Sequence, residues 1–457
     1  VTVRNPDPGT IEALRAVEAE LNTRWPETKI DPSLERIQAL VDLLGDPQRS
    51  YPVLQIAGTN GKTSTARMLD TLLSRIGLRT GRYTSPHLQL ATERISVDGA
   101  PISPERYVEV YRDIEPYVSL VDARNDVPMS KFEVLTGMGF AAFAEAPVDA
   151  AVIEVGLGGT WDATNVADAR IAVVCPIGID HVDYLGSDLL GIAREKAGII
   201  KADSVAVLAE QQPEVAQVLL ERCADVGAEV ARQGMEFGVR DRVAAVGGQL
   251  LTLQGLGGVY EEIFLPLHGA HQANNAALAL AAAEAFFGAG PDRQLDIDAV
   301  RAAFAAVTTP GRLERVRSAP TVLVDAAHNP HGAAALAAAI GDDFAFLKLV
   351  GVLGVMGDKD VTGILTALEP VLSEVVLTTN SSPRAMDVDE LAAVARDVFG
   401  DDRIVVEPRL DDAIETAVRL AEETDDSQQA LSGSGVLVTG SVFTAGEARA
   451  LFGKEPA

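Results

Sequence analysis

Cysteine is almost missing from this 457-residue sequence, which contains only Cys175 and Cys223. Cys175 lies in the apolar run IAVVC and Cys223 in a helical pattern, so both read as small core residues. No disulfide framework is expected, and a reducing compartment is implied. Positive charge is also scarce. Lys and Arg total 38 against 66 Asp and Glu, a formal net charge of −28. Such a chain has no sequence-independent attraction for a phosphate backbone, so no nucleic-acid partner is expected. Small anionic substrates are still compatible, because donors converging in a cleft outweigh a global field. No apolar run is long enough to span a bilayer, and the opening VTVRNPDPGTIEAL lacks the basic start and apolar block of a secretory signal. The expectation is a cytoplasmic monomer with no membrane partner.

Apolar residues are plentiful, at 47% against 23% charged, enough for a large core divided over more than one domain. From Ile11 to Leu44 the spacing is helical, interrupted at Trp25-Pro26 and Asp31-Pro32. Strand patterns follow at Tyr51–Ala57, Ala150–Val155, Ile171–Cys175 and Ser204–Leu208, with helical stretches between them. This alternation predicts a mostly parallel sheet covered by helices. Gln249–Leu265 reads as a small antiparallel excursion, and HQANNAALALAAAEAFF as an Ala-rich helix. Thr308-Thr309-Pro310-Gly311 breaks the pattern as a hinge would. Beyond it strands recur at Val322–Val324, Leu347–Val352, Val375–Thr378, Ile404–Val406 and Val436–Thr439. The fold class expected is α/β: a P-loop-type mostly parallel domain over residues 1–309 and a smaller Rossmann-like domain over 310–457.

The chemistry begins at Gly58-Thr59-Asn60-Gly61-Lys62-Thr63-Ser64, a glycine turn between a buried strand and a helix. Converging backbone N–H groups and the helix N-terminus suit phosphate oxygens. Lys62 suits the β- and γ-phosphates, and the hydroxyl of Thr63 or Ser64 suits phosphate or Mg²⁺. Only two residues separate the glycines, so a plain turn before an ordinary helix is the competing reading. Mg²⁺ needs hard oxygen ligands. Glu154, ending the strand in DAAVIEVGLGG, is the best candidate, since ligands of open α/β sheets bind at the carboxyl ends of strands. His181, in GIDHVDYLG, occupies the equivalent place after the next strand. Ser85, in TSPHL, reads as a turn residue, and Lys196, in AREKAGIIK, as a solvated helix charge. In the second half, Arg312 could clamp a phosphate or face water. Asp325 could accept from a ribose or order its own loop. His328, Asn329 and Ser441 lie in post-strand turns where capping and ligand binding are equally open.

Together these segments resemble a known family. GTNGKTS, TSPHL, EVGLGGTWDATN, GIDHVDYLG, REKAGI, HQANNA, PGRLE, DAAHNP and a late GS turn occur in the order seen in the Mur ligase superfamily. Specifically, the sequence resembles folylpolyglutamate synthases, including the bifunctional bacterial form with dihydrofolate synthase activity, from about Ile30 to Val442. The resemblance implies an ATP-dependent ligase that adds L-glutamate to a folate carboxylate through an acyl phosphate. It implies that residues 58–64 hold ATP together with Asn275, Arg312 and Asp325. Ser85, Glu154, His181 and Lys196 would be the metal ligands for Mg²⁺, two ions being expected, with Lys196 matching a carbamoylated lysine. Lys62, Glu154, His181 and Lys196 would form the catalytic set. His328 and Ser441 match positions linked with the incoming glutamate. Ile30, Asp31 and Pro32 resemble the stretch that binds dihydropteroate, and Trp161, Asp162 and Ala163 would line the pterin pocket. The expected partners are therefore ATP, L-glutamate and a reduced folate or dihydropteroate. Asp31-Pro32-Ser33 and Ser130-Lys131-Phe132-Glu133 depart from the family pattern, which bears on dihydropteroate more than on polyglutamylation. Two rivals remain. A Mur-type peptide ligase normally carries a uridine-nucleotide domain, for which the fifty or so residues before the loop are too few. A non-ligating nucleotide switch would show Asn-Lys-x-Asp, and Gly357-Asp358-Lys359-Asp360 lacks the Asn.

Overall fold

The computed structural model describes residues 8–25, 31–180, 182–290, 293–423 and 433–457. Its first sheet has eight strands: β1 Val53–Ala57, β2 Thr80–Tyr83, β3 Ile95–Val97, β4 Ala100–Pro101, β5 Ala150–Glu154, β6 Ala169–Val174, β7 Val205–Leu208 and β8 Glu229–Arg232. They pair in the order β4-β3-β2-β5-β1-β6-β7-β8. All pairings are parallel except those made by β3. Strands β1 and β5 are buried along their whole length, which explains their unbroken apolar runs: a parallel sheet is covered on both faces. One cover is the helix Ala270–Phe287, whose alanines pack with the helix Lys62–Arg75 against the sheet. The other includes Lys131–Glu145 and Pro104–Asp122.

Placing β1 between β5 and β6 decides where chemistry can occur. The chain leaves β1 toward β2 on one side and later reaches β6 on the other. The carboxyl ends of these strands thus flank a crevice at the point where the strand order reverses.

The antiparallel excursion is larger than expected. It has three strands, β9 Gly238–Ala245, β10 Gly248–Gln254 and β11 Val259–Leu265. β9 was illegible because its exposed residues follow no clear alternation.

The second lobe is a six-stranded sheet of β12 Glu314–Ser318, β13 Thr321–Val324, β14 Lys348–Leu353, β15 Glu374–Leu377, β16 Ile404–Val406 and β17 Ser434–Thr439. Their order is β12-β13-β17-β14-β15-β16, with only the β12–β13 pair antiparallel. Helices cover both faces. The turn after β13 faces the glycine turn after β1. No helix among the described residues is long and apolar enough to cross a membrane.

Candidate active site at the lobe seam

The turn after β1 leaves the start of the following helix open. Gly61 precedes the helix Lys62–Arg75 with φ of 89°, and no side chain caps the helix. A Cβ at Gly61 would lie 2.6 Å from Asn275 Oδ1, so only glycine fits both the left-handed backbone and the close approach. The first-turn amides are left without a side-chain acceptor, and the helix dipole adds positive potential there. Lys62 Nζ folds back onto the carbonyls of Gly58 and Thr59, at 3.1 and 3.3 Å. Thr59 Oγ1 is tied to Gly178, donating to its carbonyl at 2.9 Å. Behind the loop, Asn275 donates to Gln272 at 3.1 Å, and Gln272 reaches Ser64 Oγ at 3.4 Å.

Pairing of β1 with β5 carries Glu154 to the start of the same helix. Thr63 Oγ1 lies 2.9 and 3.0 Å from the two carboxylate oxygens. Glu154 is only 1% exposed. Burial pushes its carboxyl upward, opposed first by Lys62, then by the Thr63 hydroxyl, by Arg312 and by the Ser85 amide. Ser85 is half-buried on the cavity wall. Lys196 is not the solvated helix charge that its sequence context suggests. It is 5% exposed, and its Nζ donates to Gly58 O at 3.0 Å. Burial, with Lys62 adding to it, pulls its ammonium down to about 7.

These groups suit a magnesium-bound triphosphate. Among the described residues no three His, Cys, Asp or Glu side chains gather as a metal cluster. That is compatible with Mg²⁺, which usually takes one or two protein carboxylates and fills its octahedron with phosphate and water. Glu154 and the Thr63 hydroxyl are hard oxygen donors of that kind. His181 and Ile30 lie outside the described residues.

The second lobe closes the crevice. Asn60 and Asn329 exchange amide hydrogen bonds, Asn60 donating at 3.2 Å and Asn329 at 3.1 Å, and Asn60 Nδ2 lies 2.8 Å from His331 Nδ1. Asn329 also donates to Asp180 at 2.9 Å, as does Lys359 at 2.7 Å. His328 Nδ1 lies 2.9 Å from Ala326 O, and burial lowers the ring to about 4, so it stands there as a neutral imidazole. Asp325 orders its own loop, accepting from the amides of Leu313 at 2.8 Å and Ala327 at 2.7 Å. Ser441 is a helix cap, its Oγ accepting from Thr444 N at 3.0 Å. Arg312 is half-buried on the cavity wall, and its guanidinium makes no hydrogen bond or ion pair among the described residues.

A single cavity of about 1210 Å³ joins these groups to Trp161, Asp162 and Ala163. Asp162 is buried and accepts from the amides of Leu157 and Thr164, at 2.9 and 3.0 Å. Asp31 lines the cavity, whereas Pro32 is exposed and does not. The two segments that depart from the family pattern are joined by a residue that was not singled out from the sequence. Arg36 donates to Glu133 at 3.0 Å and to Asp31 at 2.6 Å. Lys359 was also missed, having been read only as part of a failed guanine motif. Their neighbours in sequence do not reveal these bridges, because Glu133 and Asp180, the partners of Arg36 and Lys359, lie on distant elements.

This crevice, with a nucleotide-type loop on one lobe and a polar rim on the other, matches the architecture of a Mur-type ligase. The Mur ligase middle domain matches residues 130–283, and the Mur ligase glutamate ligase domain matches residues 311–442. The dihydrofolate synthase/folylpolyglutamate synthase of Mycobacterium tuberculosis is 60% identical over 99% of this chain and 96% of its own length. The protein of the same name from Bacillus subtilis is 31% identical over 91% and 93%. The M. tuberculosis folylpolyglutamate synthase complexed with ADP superposes with a TM-score of 0.94, at 60% identity, over 98% of this chain and all of that one. Escherichia coli FolC in complex with DHPP and ADP gives 0.83 at 30% identity, over 96% and 97%. The chain belongs to the folylpolyglutamate synthase/dihydrofolate synthase family of the Mur ligase superfamily.

Proposed function

We propose that this protein ligates L-glutamate to the carboxylate of a folate-type acceptor at the expense of ATP, through an acyl phosphate. The observation that carries this reading is the convergence on one seam cavity of Lys62, the Thr63–Glu154 pair and Arg312, whose guanidinium makes no hydrogen bond among the described residues. Relatives from M. tuberculosis and E. coli that hold ADP support the nucleotide, and the E. coli complex with DHPP supports a pterin-bearing acceptor.

A carboxylate cannot expel oxide, so it must first be given a better leaving group. Attack of the acceptor carboxylate on the γ-phosphorus of ATP supplies phosphate for that purpose. The work of the protein in this step is positioning and charge compensation. The amides at the start of the helix Lys62–Arg75 hold the phosphates, Lys62 turns from its own loop carbonyls to the β- and γ-oxygens, and Arg312 clamps from the other lobe. Bound Mg²⁺ supplies Lewis acidity, with Glu154, the Thr63 hydroxyl and Ser85 as protein groups fit to hold it. The α-amine of glutamate then attacks the acyl carbon and phosphate leaves. The seam pairs Asn60–Asn329 and Asp180–Lys359 keep water from the intermediate. Lys196, with its amine lowered to about 7, carries a large neutral fraction at physiological pH. That is the form that adds CO₂, so carbamoylation there would convert a buried cation into a further oxygen ligand.

The test is to incubate the protein with MgATP, glutamate and either dihydropteroate or tetrahydrofolate, then weigh the products by mass spectrometry. A gain of one glutamyl unit matched by ADP is expected. Failure to glutamylate any pterin carboxylate would overturn the assignment.

A further inference from the structure

The helix Pro330–Asp343 of the second lobe ends on an acid. Asp343 is its last residue, and its last turn carries no basic residue. A carboxylate there faces the negative end of the helix dipole, so its own helix does not account for it. Yet the side chain is only 1% exposed. Among the described residues, its hydrogen-bond and ion-pair partners all belong to the first lobe. It accepts from Gly269 N at 2.6 Å and from Arg242, and His268 Nδ1 lies 3.8 Å away. Arg242, on β9, is steadied by β10, its Nε donating to Gln249 Oε1 at 2.6 Å. The antiparallel excursion thereby presents a cation to the second lobe.

Gly269 is the N-cap of the helix Ala270–Phe287, which no side-chain cap closes. In a capping box the third helical residue reaches back to the N-cap amide. Here that residue is Gln272, and its side chain is engaged with the site instead. Its Nε2 reaches Ser64 Oγ at 3.4 Å, and its Oε1 accepts from Asn275 at 3.1 Å. Asp343 takes the amide in its place, from the other lobe. The approach is close, since a Cβ at Gly269 would lie 2.8 Å from the Cβ of Ala339, on the same helix as Asp343. The carbonyl of Gly269 accepts from Gln249 Nε2 and from Gln272 N, both at 3.1 Å. A chain of hydrogen bonds thus runs from Asp343 through Gly269 and Gln272 to Ser64 in the phosphate loop.

We infer that Asp343 is a positioning residue for the nucleotide loop, an inference that rests on the nucleotide reading of residues 58–64. Docked on Gly269, it fixes the start of the helix Ala270–Phe287, from which Gln272 and Asn275 hold Ser64 and Gly61 in place. The second lobe therefore acts on the phosphate loop twice, at Asn60 through the start of one helix and at Gly269 through its end.

The experiment uses the full chain and its variants Asp343→Ala, Asp343→Asn and Arg242→Gln. It measures binding of the β,γ-methylene analogue of ATP with Mg²⁺ by calorimetry, and amide hydrogen exchange of the nucleotide-free protein. Asp343→Ala should weaken the analogue about tenfold, the worth of one charge-assisted hydrogen bond. It should also speed exchange over residues 270–275 and 58–64 while leaving the seam turn at 325–332 unchanged. Asp343→Asn keeps an oxygen for the Gly269 amide and should recover most of the affinity. Arg242→Gln leaves that amide bonded, so it should lower the melting temperature with the affinity unchanged. If Asp343→Ala does not fold, Asp343→Leu fills the same space and gives the same comparison. Unaltered affinity without the carboxylate would overturn the role. So would exchange that rises equally at the seam turn, by showing that Asp343 only docks the lobes. An unsubstituted protein that binds no analogue would overturn the nucleotide reading itself, and the exchange pattern would still decide what Asp343 holds in place.

Discussion

Two turns face each other across the seam, and they have the same topology: a buried parallel strand, a short turn, then a helix. After β1 the helix opens at Lys62 behind Gly61, and no side chain takes its first amides. After β13 the helix Pro330–Asp343 opens behind Asn329, whose side chain accepts from Gly332 N at 2.8 Å. Proline at its first position removes one amide altogether, and Asp325 accepts from Ala327 N at 2.7 Å. The first turn therefore keeps its positive end available, while the second closes on itself and keeps only its outer amides and imidazoles for contact across the seam. A helix N-terminus becomes an anion site only when its own sequence declines to cap it.

The largest effect should come from disarming the open turn. Lys62→Ala removes the one mobile cation of the loop while leaving Gly61 and the strand intact. It should lower kcat by about 10²–10³-fold, the range for losing a donor aimed at charge that develops in the transition state. ADP release at saturating ATP measures this, with the melting temperature as a check on folding. Turnover near that of the unsubstituted protein would mean that the two turns do not differ as described.

The sequence announced these two turns unequally. Gly58 to Ser64 could be read as a candidate phosphate loop because its strand, glycines and lysine are contiguous, and Glu154 as a candidate ligand because it ends an apolar run. Asp325, by contrast, had two open readings, and only the paired amides of Leu313 and Ala327 show that it orders its loop. Ser441 likewise is engaged as a cap. Both strand-rich lobes were visible from periodicity, since buried parallel strands are continuous apolar runs. The short β2 to β4 elements were not, because TGRY, ISV and AP carry no repeating pattern. The Arg36 bridge and the Asp180–Lys359 pair depend on contacts more than ninety residues apart in the chain. Periodicity cannot report such contacts.

Lys196 sharpens the comparison from beneath. It contacts Gly58 O in the open turn, and among the described residues no other lysine is buried. Its folded pKa of about 7 lies below the unfolded value of 10.5. The fold therefore disfavours the ammonium: the penalty is absent above pH 10.5, grows as pH falls, and is complete below about 7. Lys196→Met should raise the melting temperature at pH 7 in CO₂-free buffer, by a stability gain on the order of 1–3 kcal/mol after the lost hydrogen bond is counted. That gain should shrink toward pH 10, while ligation falls away. A melting difference that does not vary with pH would show that the amine is not held out of its charged form.

The smallest effect belongs to the closed turn. Asn329→Ala removes the cap on Gly332 and should cost about 1 kcal/mol of stability. It also cuts the reciprocal amide pair with Asn60 and the bond to Asp180. Because those bonds cross the seam and none of them caps the phosphate-loop helix, ATP affinity should change little. The distinguishing measurement is ADP formed per glutamate ligated. It should rise above one in Asn329→Ala if the seam shields the acyl phosphate from water, whereas a variant that only loses its cap would melt earlier and still couple one ADP to each ligation. The ratio thus separates a turn that merely ends a helix from one that also closes the site.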